Sequence, residues 1–444
     1  MSHGGDFADS VTSGALDRKV GRGVFIVATF AAVTSVARLA QDAAIAWRYG
    51  TGPVVDAYYF IANLASWPVA VALSVLTLLV VPLEARFQRG GDVADLKRFR
   101  GELLTAVLVL AALSLPLAWW LLTLVAGGPL GGLERHTADL AVAGVPAIVA
   151  TVPIGLIGAL LAAWLVSSGR HMLTLFEALP PLVLVVVVLL VPGTVLFWGC
   201  AAGVAVQAIV MTAAIVTAGA LPQPRIGFSS LAWHGILGGA LTLVLAQVLS
   251  AMLPLVDAFF AARLGEGTLA TLNFANRMVL GIQGLAGLAL QRVGLPVLSR
   301  LVATSPGQAR RAALRWAALM GGAGVVATLA VAMLADPLVA ILFERGRFTA
   351  ADREQVSTLL RWGMVQLVPF LAGVAVVTAL ASASAWRSLA VAAALGLVVK
   401  IGASALLAAK YGAVGLQVST ALLYTTTTTV AWFALRRRLQ HAVP

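Results

Sequence analysis

The chain has 444 residues, of which 60% are apolar and only 11% are charged, and its formal net charge is +12. With a mean hydropathy of +0.97, this composition excludes a soluble globular protein, in which about a quarter of the residues are charged. The excess of positive charge is typical of the cytoplasmic loops of a membrane protein, so we expect no nucleic-acid partner. Five His and one Cys form no ligand-like cluster, and we expect neither a metal nor a cofactor.

Apolar runs long enough to cross a bilayer recur along the chain, since a spanning helix needs about 20 residues. Residues 1–20 are predicted to be a disordered cytoplasmic tail. A first lobe over 21–218 is predicted to hold six spans, at 22–49, 54–86, 102–126, 138–166, 172–192 and 194–218. After an inter-lobe linker over 219–233, a second lobe over 234–438 is predicted to hold six more, at 234–264, 269–301, 312–334, 355–383, 388–409 and 412–435. Residues 439–444 are predicted to form a second cytoplasmic tail.

A short repeat relates the two predicted lobes. Residues 42–52 and 257–267 both fit the pattern D-A-x-x-A-x-R-x-G-x-G, and they lie about half the chain apart. Each copy closes a long apolar run with a Gly-x-Gly turn, and neither is followed by the G-K-[ST] of a nucleotide-binding loop. The repeat therefore indicates two duplicated halves.

The distribution of Lys and Arg predicts the orientation in the membrane. Eighteen of these residues fall on one side of the predicted spans and seven on the other. The positive-inside rule then places both termini in the cytoplasm. Because each lobe has an even number of spans, the lobes share one orientation and should be related by a pseudo-twofold axis along the membrane normal, with a central cavity between them.

Polar residues inside predicted spans mark a candidate site, because an ionisable side chain in lipid is costly unless it faces protein or water. Arg38 and Asp42 lie one helical turn apart, so they either neutralise each other or line a cavity. Asn273, Asn276 and Arg277 share one face of the span 269–301. Gln283 and Gln291 continue that stripe, which indicates a wet cavity or a partner helix.

Arg277 has no acidic residue within four positions on its own helix. A guanidinium in a wet cavity can hold a phosphate through two hydrogen bonds, which is the functional interpretation. The structural alternative is an ion pair with Asp257 or Asp56 on another helix. Glu177 and Lys400 either pair with each other or belong to an ion pathway. No arrangement of a nucleophile and a base indicates an enzyme.

Four segments resemble the MurJ/MviN lipid II flippase family. They are the run from Asp42 to Tyr59, the run Asn273-Phe274-Ala275-Asn276-Arg277 continuing to Leu295-Pro296-Val297-Leu298-Ser299, the string LFERGRFTAAD over 342–352, and Tyr411 to Leu416. The resemblance covers residues 25–438. It implies the multidrug/oligosaccharidyl-lipid/polysaccharide exporter fold (MOP fold), with two six-helix lobes around a cationic cavity and an alternating-access cycle.

The chain departs from the family pattern at several positions. Val36 and Gln41 stand where the family's first span carries two Arg, and Arg38 lies one turn before Asp42. The family's second span carries P-N-x-x-R-R, where this chain has Ser66-Trp67-Pro68-Val69. Of the usual cavity arginines only Arg277 matches, and the two C-terminal spans that the family often adds do not appear.

The resemblance predicts a flippase that moves an undecaprenyl-pyrophosphate-linked saccharide, either lipid II-like or an exopolysaccharide repeat unit, across a bacterial inner membrane. Its partners would be that substrate, the membrane lipids and a coupling ion, H⁺ or Na⁺. The predicted substrate-binding residues are Arg277, Arg38, Asn276, Asn273, Gln41 and Gln283. The predicted gating or charge-balancing residues are Asp42, Asp56 and Asp257. The alternatives are a cation-coupled small-molecule exporter of the MATE type, which should present carboxylates to its cavity, and a membrane scaffold that transports nothing.

Overall fold

The computed structural model describes residues 29, 32–88, 93–168, 171–230, 232–284, 306–383 and 385–440, and all regular structure in these ranges is helical. The first-half helices are α1 over 32–49, α2 Pro53–Gln88, α3 Val93–Gly127, α4 Arg135–Ile148, α5 Thr151–Ser167, α6 Leu179–Leu190 (after a 3₁₀ segment, His171–Ala178) and α7 Leu196–Thr217. The second-half helices are α8 Ala232–Ala251, α9 Leu253–Ala261, α10 over 268–284, α11 Pro306–Phe343, α12 Ala350–Met364, α13 Leu367–Ser382, α14 Trp386–Tyr411 and α15 Ala413–Gln440.

The predicted all-helical membrane fold is confirmed. Seven helical segments in the described ranges are long and apolar enough to cross a bilayer, or eight if α4 and α5, which bend by 40° at their junction, count as one span. The total of twelve spans stays a prediction. The second half of the span 269–301, with Gln291, and the predicted tail over 1–20 lie outside the described residues.

Several predicted spans consist of two shorter helices. The span 138–166 is α4 followed by α5, the span 234–264 is α8 followed by α9, and the span 355–383 is α12 followed by α13. Pro153, Pro254 and Pro369 each lie within the first three residues of the second helix of their pair. Proline is tolerated there because its missing N–H has no partner in the first turn of a helix. The prolines therefore mark breaks between helices.

Helix packing follows the two halves of the sequence. In the first half α2 packs against α3, α4 and α5, and α7 packs against α4, α5 and α6. In the second half α11 packs against α12 and α13, and α15 packs against α12, α13 and α14. Helix α2 crosses between the halves and contacts α8 and α9. We use "first lobe" for the helices α1–α7 and "second lobe" for α8–α15.

Segment 219–230 before α8 is non-helical and lies against the start of α3. Buried Glu102 accepts hydrogen bonds from Ser229 N at 3.0 Å, from Ser229 Oγ at 2.7 Å and from Trp233 Nε1 at 2.8 Å. Arg225 N donates to Gly101 O at 3.1 Å. The segment that connects the lobes is thus fixed to α3.

The Gly-x-Gly turns lie at one end of the molecule, which we call the Gly-x-Gly end, and there they bring the lobes together. Gly50 has a φ of 66°, and a Cβ added to it would come within 2.9 Å of Arg347 O. Only glycine combines that left-handed conformation with so close an approach. Arg347 N donates to Trp47 O at 2.8 Å across the same contact.

The segment over 342–352 joins α11 to α12 and contacts the first lobe. Thr349 and Asp352 form a capping box, in which Thr349 N donates to Asp352 Oδ2 at 2.7 Å. The other oxygen of Asp352 accepts a hydrogen bond of 2.5 Å from Thr51 Oγ1. One carboxylate therefore both caps a second-lobe helix and holds the first-lobe turn.

Candidate functional site

A polar cavity of about 400 Å³ lies between the lobes. Its polar lining comes from α1, α2, α9, α10, α13 and α15, and comprises Arg38, Asn63, Ser66, Asp257, Asn273, Asn276, Arg277, Gln366, Thr420 and Tyr424. Its volume is within the range of sites that take small ligands, roughly 300–1,000 Å³. A smaller cavity of about 230 Å³ adjoins it. Gln41, Tyr59 and Cys200 line this second cavity, and Arg277 borders both.

Arg277 forms an ion pair with Asp42 across the lobe boundary. Its Nε donates to Asp42 Oδ2 at 2.8 Å, and the Tyr59 hydroxyl donates to Asp42 Oδ1 at 2.8 Å. The side chain of Asp42 is 1% exposed, and that of Arg277 is 26% exposed. The two terminal nitrogens of Arg277 make no hydrogen bond with the described residues. Asp42 therefore fixes the guanidinium from its Nε side and leaves the forked end unused.

This pair corrects two sequence-based expectations. Arg277 is not without a carboxylate, and its partner is Asp42 rather than Asp257 or Asp56. Because the two residues are 235 positions apart, spacing along one helix could not reveal them as partners. Of the two alternatives given for Arg38 and Asp42, an ion pair between them is not observed: Asp42 pairs with Arg277, and Arg38 lines the larger cavity.

Arg38 is an exposed residue that lines the larger cavity. It makes no ion pair or hydrogen bond with the described part of the chain. Since these residues use none of its five N–H donors, the Arg38 guanidinium can donate them to a ligand. Arg38 and the forked end of Arg277 thus give the cavity a positive character.

The amide side chains predicted to bind substrate do not all line the same cavity. Asn273 and Asn276 line the larger cavity; Asn273 Nδ2 donates to Leu269 O at 2.8 Å, and Asn276 Oδ1 accepts from Gln417 Nε2 at 2.8 Å. Gln41 lines the smaller cavity. Gln283 is buried, and its Nε2 has no hydrogen-bond partner within the described ranges.

The two remaining predicted carboxylates are buried and accept hydrogen bonds from different kinds of donor. Asp56, on α2, accepts hydrogen bonds from Gly267 N at 2.5 Å and Ala270 N at 2.7 Å, at the N-terminus of α10 in the other lobe. Asp257 accepts a hydrogen bond of 2.5 Å from Lys400 Nζ. Of the two alternatives given for Glu177 and Lys400, a pair between them is therefore not observed, because Lys400 pairs with Asp257.

Sequence reasoning missed Tyr59, Gln366 and Gln417. Tyr59 was visible as the last residue of the D-A-Y-Y string, where an aromatic hydroxyl beside a buried carboxylate is a natural donor. Gln417 is the fifth residue of α15 and contacts both Asn276 and Gln366. The sequence around a single amide in a span does not indicate which residue it will contact. The hydrogen bonds among Asn276, Gln417 and Gln366 could therefore be identified only from the fold.

In chemical terms the cavity can bind an anion. Among the described residues that line it, the carboxylate of Asp257 is paired with Lys400, whereas the guanidiniums of Arg38 and Arg277 have unused donors. Among the described residues no group of three His, Cys, Asp or Glu could hold a metal ion.

Comparisons with known proteins find similar sequences and similar structures. The family model described as lipid II flippase MurJ matches residues 86–443. A probable lipid II flippase MurJ of Vibrio cholerae is 25% identical over 357 residues, which cover 75% of this chain and 67% of that protein. One from Haemophilus influenzae is 30% identical over 124 residues, 26% of this chain and 24% of its own.

Solved structures share the fold. A lipid II flippase MurJ in an inward closed conformation superposes with a TM-score of 0.77 at 16% identity, covering 92% of this chain and 87% of that one. An inward-facing multidrug resistance transporter of the MATE family, from the MOP superfamily, gives a TM-score of 0.65 at 14% identity, covering 94% and 96%.

Proposed function

This chain belongs to the MurJ lipid II flippase family, and from that premise we propose that it carries an undecaprenyl-pyrophosphate-linked saccharide from the inner to the outer leaflet of a bacterial cytoplasmic membrane. It is a multi-pass membrane transporter and not an enzyme. A lipid II-like peptidoglycan precursor is the first candidate for the saccharide, and an exopolysaccharide repeat unit is the second.

The observation that carries the proposal is the pair of guanidiniums at the inter-lobe cavity. A pyrophosphate that crosses an apolar membrane core needs cations around it. Arg38 offers five donors, and Arg277 offers the donors of its forked end, which suits the geometry of phosphate oxygens. Asp42 is then a positioning residue, since it fixes Arg277 and does not itself face the substrate.

We further propose that transport proceeds by alternating access, with the Gly-x-Gly end facing the periplasm and closed in this state. Three contacts that join the lobes there support the proposal: Asp56 with the N-terminus of α10, Thr51 with Asp352, and Trp47 O with Arg347 N. Breaking these contacts would open the cavity to the outer side. Asp56 is the gating residue in this account.

A MATE-like exporter of cationic small molecules is less consistent with the site. Such a substrate requires free carboxylates at the cavity, and Asp257 is already neutralised by Lys400. The positive residues Arg38 and Arg277 would repel a cation. The likeness to MATE structures is a likeness of fold.

Ligand binding to the purified protein tests this proposal. Undecaprenyl pyrophosphate should bind more tightly than undecaprenyl monophosphate, and undecaprenol should bind weakest. Arg38→Gln should reduce the affinity for the pyrophosphate by about ten- to a hundredfold, since a charge-assisted hydrogen bond contributes roughly 1.5–3 kcal/mol. Arg353→Gln, which changes an arginine paired with Glu344 away from the cavity, is the matched control. Equal binding of pyrophosphate and alcohol would contradict the proposal.

A further inference from the structure

Lys400 has a fully buried side chain in the second lobe, where α9, α14 and α15 meet. Its side chain is 0% exposed. An ammonium in the membrane core is costly unless it is neutralised and hydrogen-bonded. The proposed substrate pathway does not use this residue, so its presence calls for a separate explanation.

The Lys400 ammonium lies in a cage of four oxygens. Its Nζ is 2.5 Å from Asp257 Oδ1, 2.7 Å from Thr420 Oγ1, 2.9 Å from Leu416 O and 2.9 Å from Ser419 Oγ. An ammonium has three protons, so four acceptors exceed what its directed hydrogen bonds can use. A carboxylate, a carbonyl and hydroxyls around one centre are instead the oxygen ligands that hard cations take.

The cage lies against the inter-lobe cavity. Asp257 and Thr420 contribute to the cage and also line the cavity, and the side chain of Asp257 is 11% exposed. A small ion in the cavity would therefore reach the cage over a short path if the ammonium were absent. Ser404 Oγ, 2.9 Å from Ser419 Oγ, extends the oxygen-rich surroundings.

We propose that Lys400 is a tethered cation: its ammonium fills an oxygen cage that would otherwise take a small monovalent cation such as Na⁺. The chain then carries its own counter-charge for Asp257 and needs no alkali ion at this position. The sequence analysis considered H⁺ and Na⁺ as coupling ions. Because the Lys400 ammonium occupies the cage, Na⁺ cannot bind at this position.

Thermal unfolding of the purified protein in NaCl, KCl or choline chloride at equal ionic strength tests the inference. The wild type should unfold at the same temperature in all three salts. Lys400→Ser should unfold at a lower temperature in choline chloride, and Na⁺ or K⁺ should raise its midpoint by about 3 °C or more, with saturation. Asp257→Asn in the Lys400→Ser background should abolish that rise. Lys410→Ser, at an exposed lysine of the same helix, should show no salt preference.

Two results would overturn the inference: a wild type that Na⁺ stabilises over choline, or a folded Lys400→Ser protein that responds equally to every salt. In the second case the lysine is only half of a structural ion pair. If Lys400→Ser fails to accumulate, the variant Asp257→Asn/Lys400→Met, which is neutral at both positions, replaces it. This variant should fold, and its unfolding temperature should not depend on the salt. A higher unfolding temperature in Na⁺ than in choline would contradict the cage. Because unfolding needs no substrate, a failure here is distinguishable from a failure of the proposed flippase function.

Discussion

Asp42 receives hydrogen bonds from two side chains on two different helices, Arg277 on α10 and Tyr59 on α2. Since Asp42 is 1% exposed, loss of the arginine would leave a buried charge without its partner. Arg38 is on the same helix as Asp42, but it contacts the cavity instead. The two arginines should therefore respond very differently when Asp42 is changed.

Double-mutant cycles on thermal stability distinguish the two arginines. Asp42→Asn and Arg277→Gln should each destabilise the protein, and together they should show a coupling of about 0.5–3 kcal/mol. The matched cycle of Asp42→Asn with Arg38→Gln should show a clearly smaller coupling, because these two side chains form no ion pair and interact only through their charges. A strong coupling of Arg38 with Asp42, or none for Arg277, would contradict the pairing.

At the scale of residues, the sequence identified the charged side chains of the site. It did not identify the partners of these side chains. Asp42, Asp257, Arg277 and Lys400 were all recognisable as charges within apolar spans. Their pairing was not, because the partners are 235 and 143 positions apart, and nothing in a single sequence brings such positions together.

At the scale of elements the N-terminus of α10 is stabilised by a carboxylate from the other lobe. Asp56 accepts hydrogen bonds from Gly267 N and Ala270 N, where the helix dipole favours negative charge. A helix terminus of the second lobe is thus capped only while the lobes are closed together at the Gly-x-Gly end. The cap should bias the population of the closed state.

Asp56→Asn should shift that population toward the open state by roughly two- to thirtyfold, since a charge at a helix terminus contributes about 0.3–2 kcal/mol. Spin labels at residues 130 and 411 in a Cys200→Ser background would report the inter-lobe distance, because both positions are exposed and lie in different lobes. Asp139→Asn, an exposed carboxylate on α4, is the control. Identical distance distributions for Asp56→Asn and the wild type would argue against a gating role.

Helix boundaries were harder to predict than helical content. The Gly-x-Gly turns were correctly predicted because glycine at positive φ marks a helix end. The junction of α4 and α5 was not predicted, because residue 150 keeps α-helical dihedral angles and the apolar pattern continues across it. An almost uniformly apolar run has no amphipathic period that a break could interrupt.

At the scale of the whole molecule, the sequence predicted the fold through its long apolar runs, its internal repeat and its family resemblance. The family and the all-helical MOP-type fold are confirmed. The pseudo-twofold axis, the cytoplasmic termini and the lobe boundaries stay predictions. The cavity could be anticipated only in outline, since its walls come from six helices spread over the whole chain.

The central claim is that two guanidiniums at the inter-lobe cavity, those of Arg38 and Arg277, bind the pyrophosphate of a lipid-linked saccharide during transport. The variant Asp42→Asn/Arg277→Gln tests it cleanly, because it removes the cation and its buried partner together and leaves no unpaired charge. The variant Glu84→Gln/Arg100→Gln is the matched control, since it neutralises an ion pair of 2.7 Å that also has a buried carboxylate and lies outside the cavity lining.

The deciding measurement is the rate at which each protein, reconstituted in vesicles at equal folded amounts, flips a fluorescent undecaprenyl-pyrophosphate-linked saccharide. We expect the Asp42→Asn/Arg277→Gln protein to flip about ten- to a hundredfold more slowly than the wild type, from the loss of roughly 1.5–3 kcal/mol of charge-assisted contact with the pyrophosphate. The Glu84→Gln/Arg100→Gln control should flip at the wild-type rate. Flipping at the wild-type rate by the Asp42→Asn/Arg277→Gln protein would contradict the account.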